Sequence, residues 1–348
     1  MQPDPALSAA HRPDVLADPM LLREWFAVAW SCEIAPGAIL ARRFMGRDAL
    51  LWRSAEGLVC WRDLCIHRGA KLSLGTVATA TSGPQSGKEC LVCPYHAWHY
   101  SPSGQCVLIP AQPGQPPPAK ARTETYHVLE RHGVVWVCLG DPFAALPDFP
   151  ETASRPARTI LAGPYLFRAS GPRVIENLFD VAHLGYVHAG MLGDPQHLEI
   201  EDYEVTLGPY GPEATNIRIW QPDPDGTGRS ALVEYHYWAR GPLTAGLTKR
   251  PAQNDGAPFA ILASVVPIDA DACESRLIIT IDANTEVSDA DLLRFQDTVT
   301  AQDKIIVESQ RPELLPLDLQ SELHLRSDRM AIAYRKWLRD IGFTYGTA

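Results

Sequence analysis

Two short strings, Cys65-Ile66-His67-Arg68-Gly69 and Cys93-Pro94-Tyr95-His96-Ala97-Trp98, constrain this chain more than any other part of it. Each brings one cysteine and one histidine together, so the pair reads as a two-pronged metal clamp. Two thiolates can hold one iron of a [2Fe–2S] cluster while two imidazoles hold the other, which is the ligand set of a Rieske centre. On this reading Cys65 and Cys93 go to the outer iron and His67 and His96 to the inner one. The competing reading is a tetrahedral zinc knuckle of Cys60, Cys65, Cys90 and Cys93, which leaves both histidines without a role.

Respiratory Rieske proteins resemble this pattern but carry an extra cysteine in each prong, closing a disulfide over the cluster. Here those places hold Ala70 and Tyr95. Rieske potentials span about −150 to +300 mV according to such surroundings, and the missing cross-link points to the low-potential kind that feeds oxygenases or serves as ferredoxins.

A chain of 348 residues, 46% hydrophobic, has room for about two domains. Its formal charge of −10 argues against a nucleic-acid partner, since phosphate binding needs a basic face. No apolar run reaches the length of a membrane span, and the first residues lack the regions of a signal peptide, so the expected location is cytoplasmic. Eight cysteines scattered through apolar surroundings fit reduced thiols. Cys32, Cys60, Cys106, Cys138 and Cys273 read as core or strand residues.

The expected organisation is an arm over residues 1–24, a small all-β domain over 25–145 carrying both prongs on loops, and a second domain over 146–348. Short β-runs at 26–30, 49–52, 58–61 and 133–137 mark the first domain. The proline-rich stretch 110–118 excludes helix and central strand. The second domain is expected to open with a helix over 171–189. Strands follow at 203–207, 216–220, 232–239, 259–267 and 276–282, then helices over 288–310 and 322–341. The class is therefore α+β, with an antiparallel sheet around a long helix. No glycine-rich nucleotide loop is present, so electrons must come from another protein.

The stretch from Glu176 to His188 holds a second set of metal-competent side chains. On a continuous helix Asn177, Asp180, His183 and His188 share an arc of about 140°. Late in the chain an apolar stripe runs Leu292, Phe295, Val299, Ile306, and the position completing it is Asp303. An aspartate there is costly unless it meets a cation, either an iron or a neighbouring Arg or Lys. Two histidines and one carboxylate form the ligand set of non-haem Fe(II) oxygenases.

Cys65/His67/Cys93/His96, the Asn177-to-His188 motif and Gln302-Asp303-Lys304-Ile305-Ile306-Val307-Glu308, in that order, resemble a Rieske non-haem iron oxygenase α subunit over nearly the whole chain. The length and late segment are most similar to the vanillate and dicamba O-demethylase and toluenesulfonate methyl-monooxygenase branch. The interval from Arg68 to Val92 is longer than that family usually has, and its polar middle, 81–88, reads as an inserted surface loop. The resemblance implies a Rieske [2Fe-2S] domain followed by a helix-grip, START-like catalytic domain. It further implies mononuclear Fe(II), O2 as cosubstrate, and a head-to-tail homotrimer in which Asp180 joins His183 to His96 of the partner subunit.

The activity implied is hydroxylation or oxidative demethylation of a small, aromatic organic substrate. NAD(P)H would act only through a flavin reductase, directly or through a ferredoxin. Asn177 and Asp180 are the expected catalytic residues beside the metal ligands. Substrate contacts are expected from Trp220, Tyr235, Tyr237, Trp238 and the segment after His188. The rivals are a cis-dihydroxylating dioxygenase with the same metals and a Rieske electron carrier without oxygenation activity.

Overall fold

The computed structural model describes residues 17–80, 86–146, 148–149, 157–224, 230–251 and 259–348, and it forms two units. One runs Pro19–Ala145; the other contains Leu146–Ala348 with Asp18. Most of the expected arm, residues 1–16, lies outside the described residues. Its last part forms a 3-10 turn at Leu21–Arg23, where Leu22 and Arg23 carbonyls accept hydrogen bonds from Gly140 and Phe143.

The first unit is all-β. Its strands are β1 (Phe26–Trp30), β2 (Ile39–Phe44), β3 (Arg47–Ser54), β4 (Gly57–Arg62), β5 (Thr76–Thr79), β6 (Glu89–Val92), β7 (His99–Tyr100), β8 (Cys106–Leu108), β9 (Thr125–Arg131) and β10 (Val134–Cys138). A six-stranded sheet has the order β1-β10-β9-β4-β3-β2, and a four-stranded one the order β5-β6-β7-β8. The β9–β10 hairpin turns on His132 and Gly133, whose φ of 57° and 74° match the two-residue turn that follows strand twist. Trp52, Trp61, Leu72, Leu91 and Tyr100 fill the core beside Cys65 and Cys93. The interval between the prongs folds as the β5–β6 hairpin; residues 81–85 of the expected loop lie outside the described residues. Residues 110–118 contain neither helix nor strand. Cys32, expected in the core, is exposed on the 3-10 turn Ser31–Glu33.

The second unit opens with a strand that sequence reasoning missed, β11 (Ala157–Phe167), and a second missed strand runs Thr244–Pro251. Next come α1 (Gly171–Phe179) and α2 (Leu184–Val187), then β12 (Glu204–Gly208), β13 (Gly211–Gln221), β14 (Ala231–Gly241), β15 (Thr244–Pro251), β16 (Phe259–Asp269) and β17 (Ala272–Asp282). The helices α3 (Asp289–Val307) and α4 (Arg329–Asp340) close the chain. The strands form one antiparallel sheet, ordered β11-β17-β16-β15-β14-β13-β12. Helix α1 packs on β15 and β16, α3 on β11 and α4 on β12 and β13. Residues 322–325, expected in the last helix, precede it as non-helical chain. Among the described residues no helix is long and apolar enough to cross a membrane.

A buried ionic network fixes α1 against α4. Arg335 donates to both carboxylate oxygens of Glu176, at 2.5 and 2.8 Å, and to Glu322 at 2.6 Å. Arg173 completes it, reaching Glu322 at 2.7 Å. Each buried guanidinium thus has a carboxylate partner, which such burial requires.

Candidate metal centres

The two prongs are one turn used twice. In the first, Cys65 N donates to Ala70 O at 2.8 Å and Gly69 N to Cys65 O at 2.9 Å; in the second, Cys93 N donates to Trp98 O at 2.8 Å and Ala97 N to Cys93 O at 3.1 Å. The left-handed position falls on Gly69 (φ 70°) in one and on Ala97 (φ 54°) in the other. A residue with a Cβ is costly in that region, so the second turn is held by its surroundings. His67 sits two residues after its cysteine and His96 three, and their rings meet with centroids 4.6 Å apart. Trp98 stacks on His67 at 4.6 Å.

Cys65 and Cys93 are each 2% exposed, whereas His96 is exposed and His67 half-buried. The thiols are therefore the inner end of the clamp and the imidazoles the outer end, the reverse of the order expected from the sequence. Tyr100 Oη lies 3.1 Å from Cys65 Sγ, where it can donate to a sulfur ligand. His67 Nδ1 is buried without a hydrogen-bond partner, as a nitrogen reserved for a metal would be. All eight cysteines are free. Cys60 and Cys90 join no set of three ligand atoms within 4.8 Å among the described residues, so the zinc knuckle has no geometry here.

The one such set is His183, His188 and Asp303. The helix expected over 171–189 breaks at Asp180, whose Oδ1 accepts from Ala182 N at 2.8 Å and turns the chain out of α1. His183 and His188 then flank α2, and the shared helical face inferred for the four polar residues does not exist. Helix α3 supplies Asp303. Its start is capped by Ser288, which accepts from Asp291 N, and Asp289 and Asp291 suit the positive end of the helix dipole. The stripe that singled out Asp303 is not core: Phe295 is 37% and Ile306 45% exposed. Phe295, Val299 and Asp303 face a cavity instead.

His183 Nε2 and His188 Nε2 are 3.2 Å apart, and Asp303 Oδ1 is 3.4 Å from the first and 3.0 Å from the second. His188 Nδ1 donates to Gln302 Oε1 at 2.7 Å, and His183 Nδ1 faces Asp180 Oδ2 at 3.6 Å. Gln302 holds the His188 ring proton on Nδ1 and turns its Nε2 lone pair toward the Asp303 carboxylate, while the Asp180 charge lies on the Nδ1 side of His183 just beyond hydrogen-bond reach. Lone pairs converging on an anion suit a cation, and this donor set fits Fe(II). With no cation present, burial disfavours the charged His183 imidazole, but Asp180 and Asp303 outweigh it and push its pKa up to about 9. Burial likewise opposes ionisation of Asp303, yet the two histidines hold its carboxyl below the usual range. Asn177 Nδ2 reaches Asp303 Oδ1 at 3.5 Å, a long contact. Gln302 was not singled out from the sequence; its place beside Asp303 was the available signal.

The centre opens on a cavity of about 110 Å³ with walls of Phe167, Leu178, Tyr235, Tyr237, Phe259 and Val299 among others. Tyr235 and Tyr237 are where they were expected and Leu192 comes from the segment after His188. Trp238, one position out of phase, points to the other face of the sheet against Phe149 at 6.3 Å, and Trp220 packs on His197 at 5.3 Å. A second hollow shares Asn177, His183 and Asp303 and is lined further by Asp180, Ile306 and Leu323.

Residues 24–127 match the Rieske [2Fe-2S] domain family, and residues 167–342 match the family of the vanillate O-demethylase oxygenase C-terminal domain. The chain is 31% identical over 307 residues to the methylxanthine N1-demethylase NdmA of Pseudomonas putida, spanning 87% of this chain and 82% of that protein. It is 34% identical over 179 residues to the iron-sulfur subunit TsaM1 of the toluene-4-sulfonate monooxygenase system of Comamonas testosteroni, spanning 49% of this chain and 47% of that one. Among solved structures, a Pseudomonas putida CBB5 NdmA variant with caffeine matches with a TM-score of 0.78 at 28% identity, covering 92% of this chain and 91% of that chain.

Proposed function

Because the chain belongs to the Rieske non-haem iron oxygenase α subunits, with a catalytic domain of the vanillate O-demethylase type, we propose that it is a terminal oxygenase. It would hydroxylate or oxidatively demethylate a small, flat organic substrate held in the cavity beside His183, His188 and Asp303. The observation that carries this reading is the convergence of those three side chains on one point at the wall of an aromatic-lined cavity.

The roles follow from the geometry. Cys65, Cys93, His67 and His96 would hold the [2Fe-2S] cluster, with Tyr100 donating to a sulfur. His183, His188 and Asp303 would hold Fe(II), with Gln302 orienting His188. The iron supplies O2 activation and the cluster supplies electrons. The protein would hold the substrate against the centre, present the inner nitrogens of both imidazoles beside the Asp303 carboxylate and exclude water with Phe167, Tyr237 and Phe259. For a methyl ether or N-methyl substrate, O2, two protons and two electrons give formaldehyde, water and the free O–H or N–H.

Electrons come from a separate NAD(P)H-dependent flavin reductase, directly or through a ferredoxin. Asp180, with a side chain 41% exposed, sits at the second hollow. Leu323, 89% exposed, lines the same hollow, and Tyr186, 77% exposed, is three residues beyond His183. These features support a homotrimer in which Asp180 meets His96 of the partner subunit and carries the electron path. The protein would act in the cytoplasm.

Iron analysis of the purified chain should give three irons per subunit, and reductase-fed protein should consume O2 in step with formaldehyde release from a methylated substrate. A cis-diol product would establish the dihydroxylating alternative. Two irons per subunit, with electron transfer but no substrate-dependent O2 uptake, would reduce the chain to a Rieske carrier.

A further inference from the structure

One cationic side chain in the cavity is used by neither metal centre. Lys249 lies on β15 between Tyr235 of β14 and Phe259 of β16, and all three line the same wall. Alternation along β15 puts Leu247 on that face too, so the ammonium stands in a row otherwise aromatic and aliphatic. Its Nζ lies 4.9 Å from the centroid of the Phe259 ring. Apart from His183, His188 and Asp303, it is the one charged side chain on the cavity wall among the described residues.

Lys249 has no carboxylate partner among the described residues, and the Asp303 carboxylate is taken up by His183 and His188. Lys249 is half-buried on the cavity wall, and burial pulls its pKa down to about 8. The ammonium is therefore enclosed yet mostly charged at neutral pH. An enclosed cation that meets a ring face and no carboxylate among the described residues is costly, and an anion in the cavity would offset that cost with a charge-assisted hydrogen bond.

We infer that Lys249 selects the substrate: it anchors the carboxylate or sulfonate of a planar organic anion whose oxidisable group is turned toward His183, His188 and Asp303. This rests on the oxygenase reading and narrows its substrate class. It also separates this chain from a cavity built for a neutral ring, which would have no use for an unpaired ammonium.

The test uses the full chain loaded with cluster and iron, titrated anaerobically by calorimetry. The probes are 4-methoxybenzoate, 4-methoxybenzamide as its neutral twin, toluene-4-sulfonate with toluene-4-sulfonamide, and caffeine. Both anions should bind about tenfold or more tighter than their twins. Lys249→Met should remove that preference while leaving affinity for the amides within about twofold, and Lys249→Arg should keep most of it. No anion preference anywhere in the panel, absence of binding included, overturns the inference, as does a preference that survives Lys249→Met. O2 uptake on the same compounds keeps the two readings apart. Oxidation of caffeine or an amide in preference to the anions defeats the role of Lys249 and leaves the oxygenase standing, whereas iron loss or O2 consumption by no methylated compound defeats the oxygenase itself.

Discussion

The cluster prongs and the His183, His188, Asp303 centre hold their ligands in different ways. Each prong is shaped by backbone hydrogen bonds within one six-residue string, Cys65 to Ala70 or Cys93 to Trp98, and the two strings meet only through side chains, the His67 ring against His96 and Trp98. The other centre gathers ligands from two parts of the chain, the ends of α2 and the body of α3, and protein contacts tie its scaffold together: α1 is joined to α4 by Glu176 and Arg335. Local turns thus supply pre-shaped ligands joined by ring contacts and core packing rather than by hydrogen bonds or ion pairs, while the helices supply a framework into which ligands are set. The first site should depend on its cofactor for stability and the second should not.

The largest expected effect tests that contrast directly. Cys65→Ser should abolish the visible cluster spectrum and all turnover, and lower the melting temperature by about 5 °C or more, since metal binding there is folding energy. Asp303→Asn, nearly the same shape, should lose the mononuclear iron and turnover but melt within about 2 °C of the parent with its cluster spectrum intact. Equal thermal losses in the two variants would erase the distinction.

Second in size is the effect on the proposed electron link through Asp180. Asp180→Asn keeps the turn, because an amide oxygen can still accept from Ala182 N, but removes the charge facing His183. Both metals should stay bound and the cluster should still take up electrons, while turnover falls about a hundredfold or more, as expected for loss of an outer-sphere carboxylate that carries the electron path. Near-normal turnover in fully loaded protein would leave Asp180 a structural turn residue.

Much of this was legible in the sequence because both prongs are contiguous, and a Cys-x-His or Cys-x-x-His string is readable without knowing the fold. Asn177 to His188 was legible in residue type but not in shape, since Asp180 ends α1 through its own side chain and periodicity ran through the break. The stripe on α3 found Asp303 although Phe295 and Ile306 are exposed, because a cavity wall and a core demand the same apolar spacing. Strand β11 was invisible: Gly163 and Pro164 interrupt it at a register shift, tolerated because β11 is an edge strand. Lys249 was hidden for a simpler reason. Its whole strand, β15, was not expected from the sequence, and only the pairing with Tyr235 and Phe259 places it beside the cavity.

The smallest expected effect is one of pH and belongs to the helical centre alone. In metal-free protein the folded pKa of His183 is raised from 6.5 to about 9, so its charged form adds stability below about pH 6.5 that is lost as pH rises through 9. Iron must displace that proton. Affinity for Fe(II) should therefore climb by up to about tenfold per unit between pH 6.5 and 8, measured by anaerobic titration of iron-depleted protein, with cluster content unchanged. A flat profile would mean that the apo site is already neutral.

Helix α3 carries Phe295, Gln296, Val299 and Thr300 on the cavity wall, Asp303 at the metal position and Gln302 against His188 on one rigid rod. A guest that leans on the first turns of that rod must swing its far end, shifting a ligand oxygen and the brace of a ligand imidazole in the same movement. Occupancy is thereby written mechanically into the coordination sphere. Breeding the cavity for a bulkier guest will tilt the same lever, so altered scope and altered oxygen chemistry should arrive together rather than as separable traits.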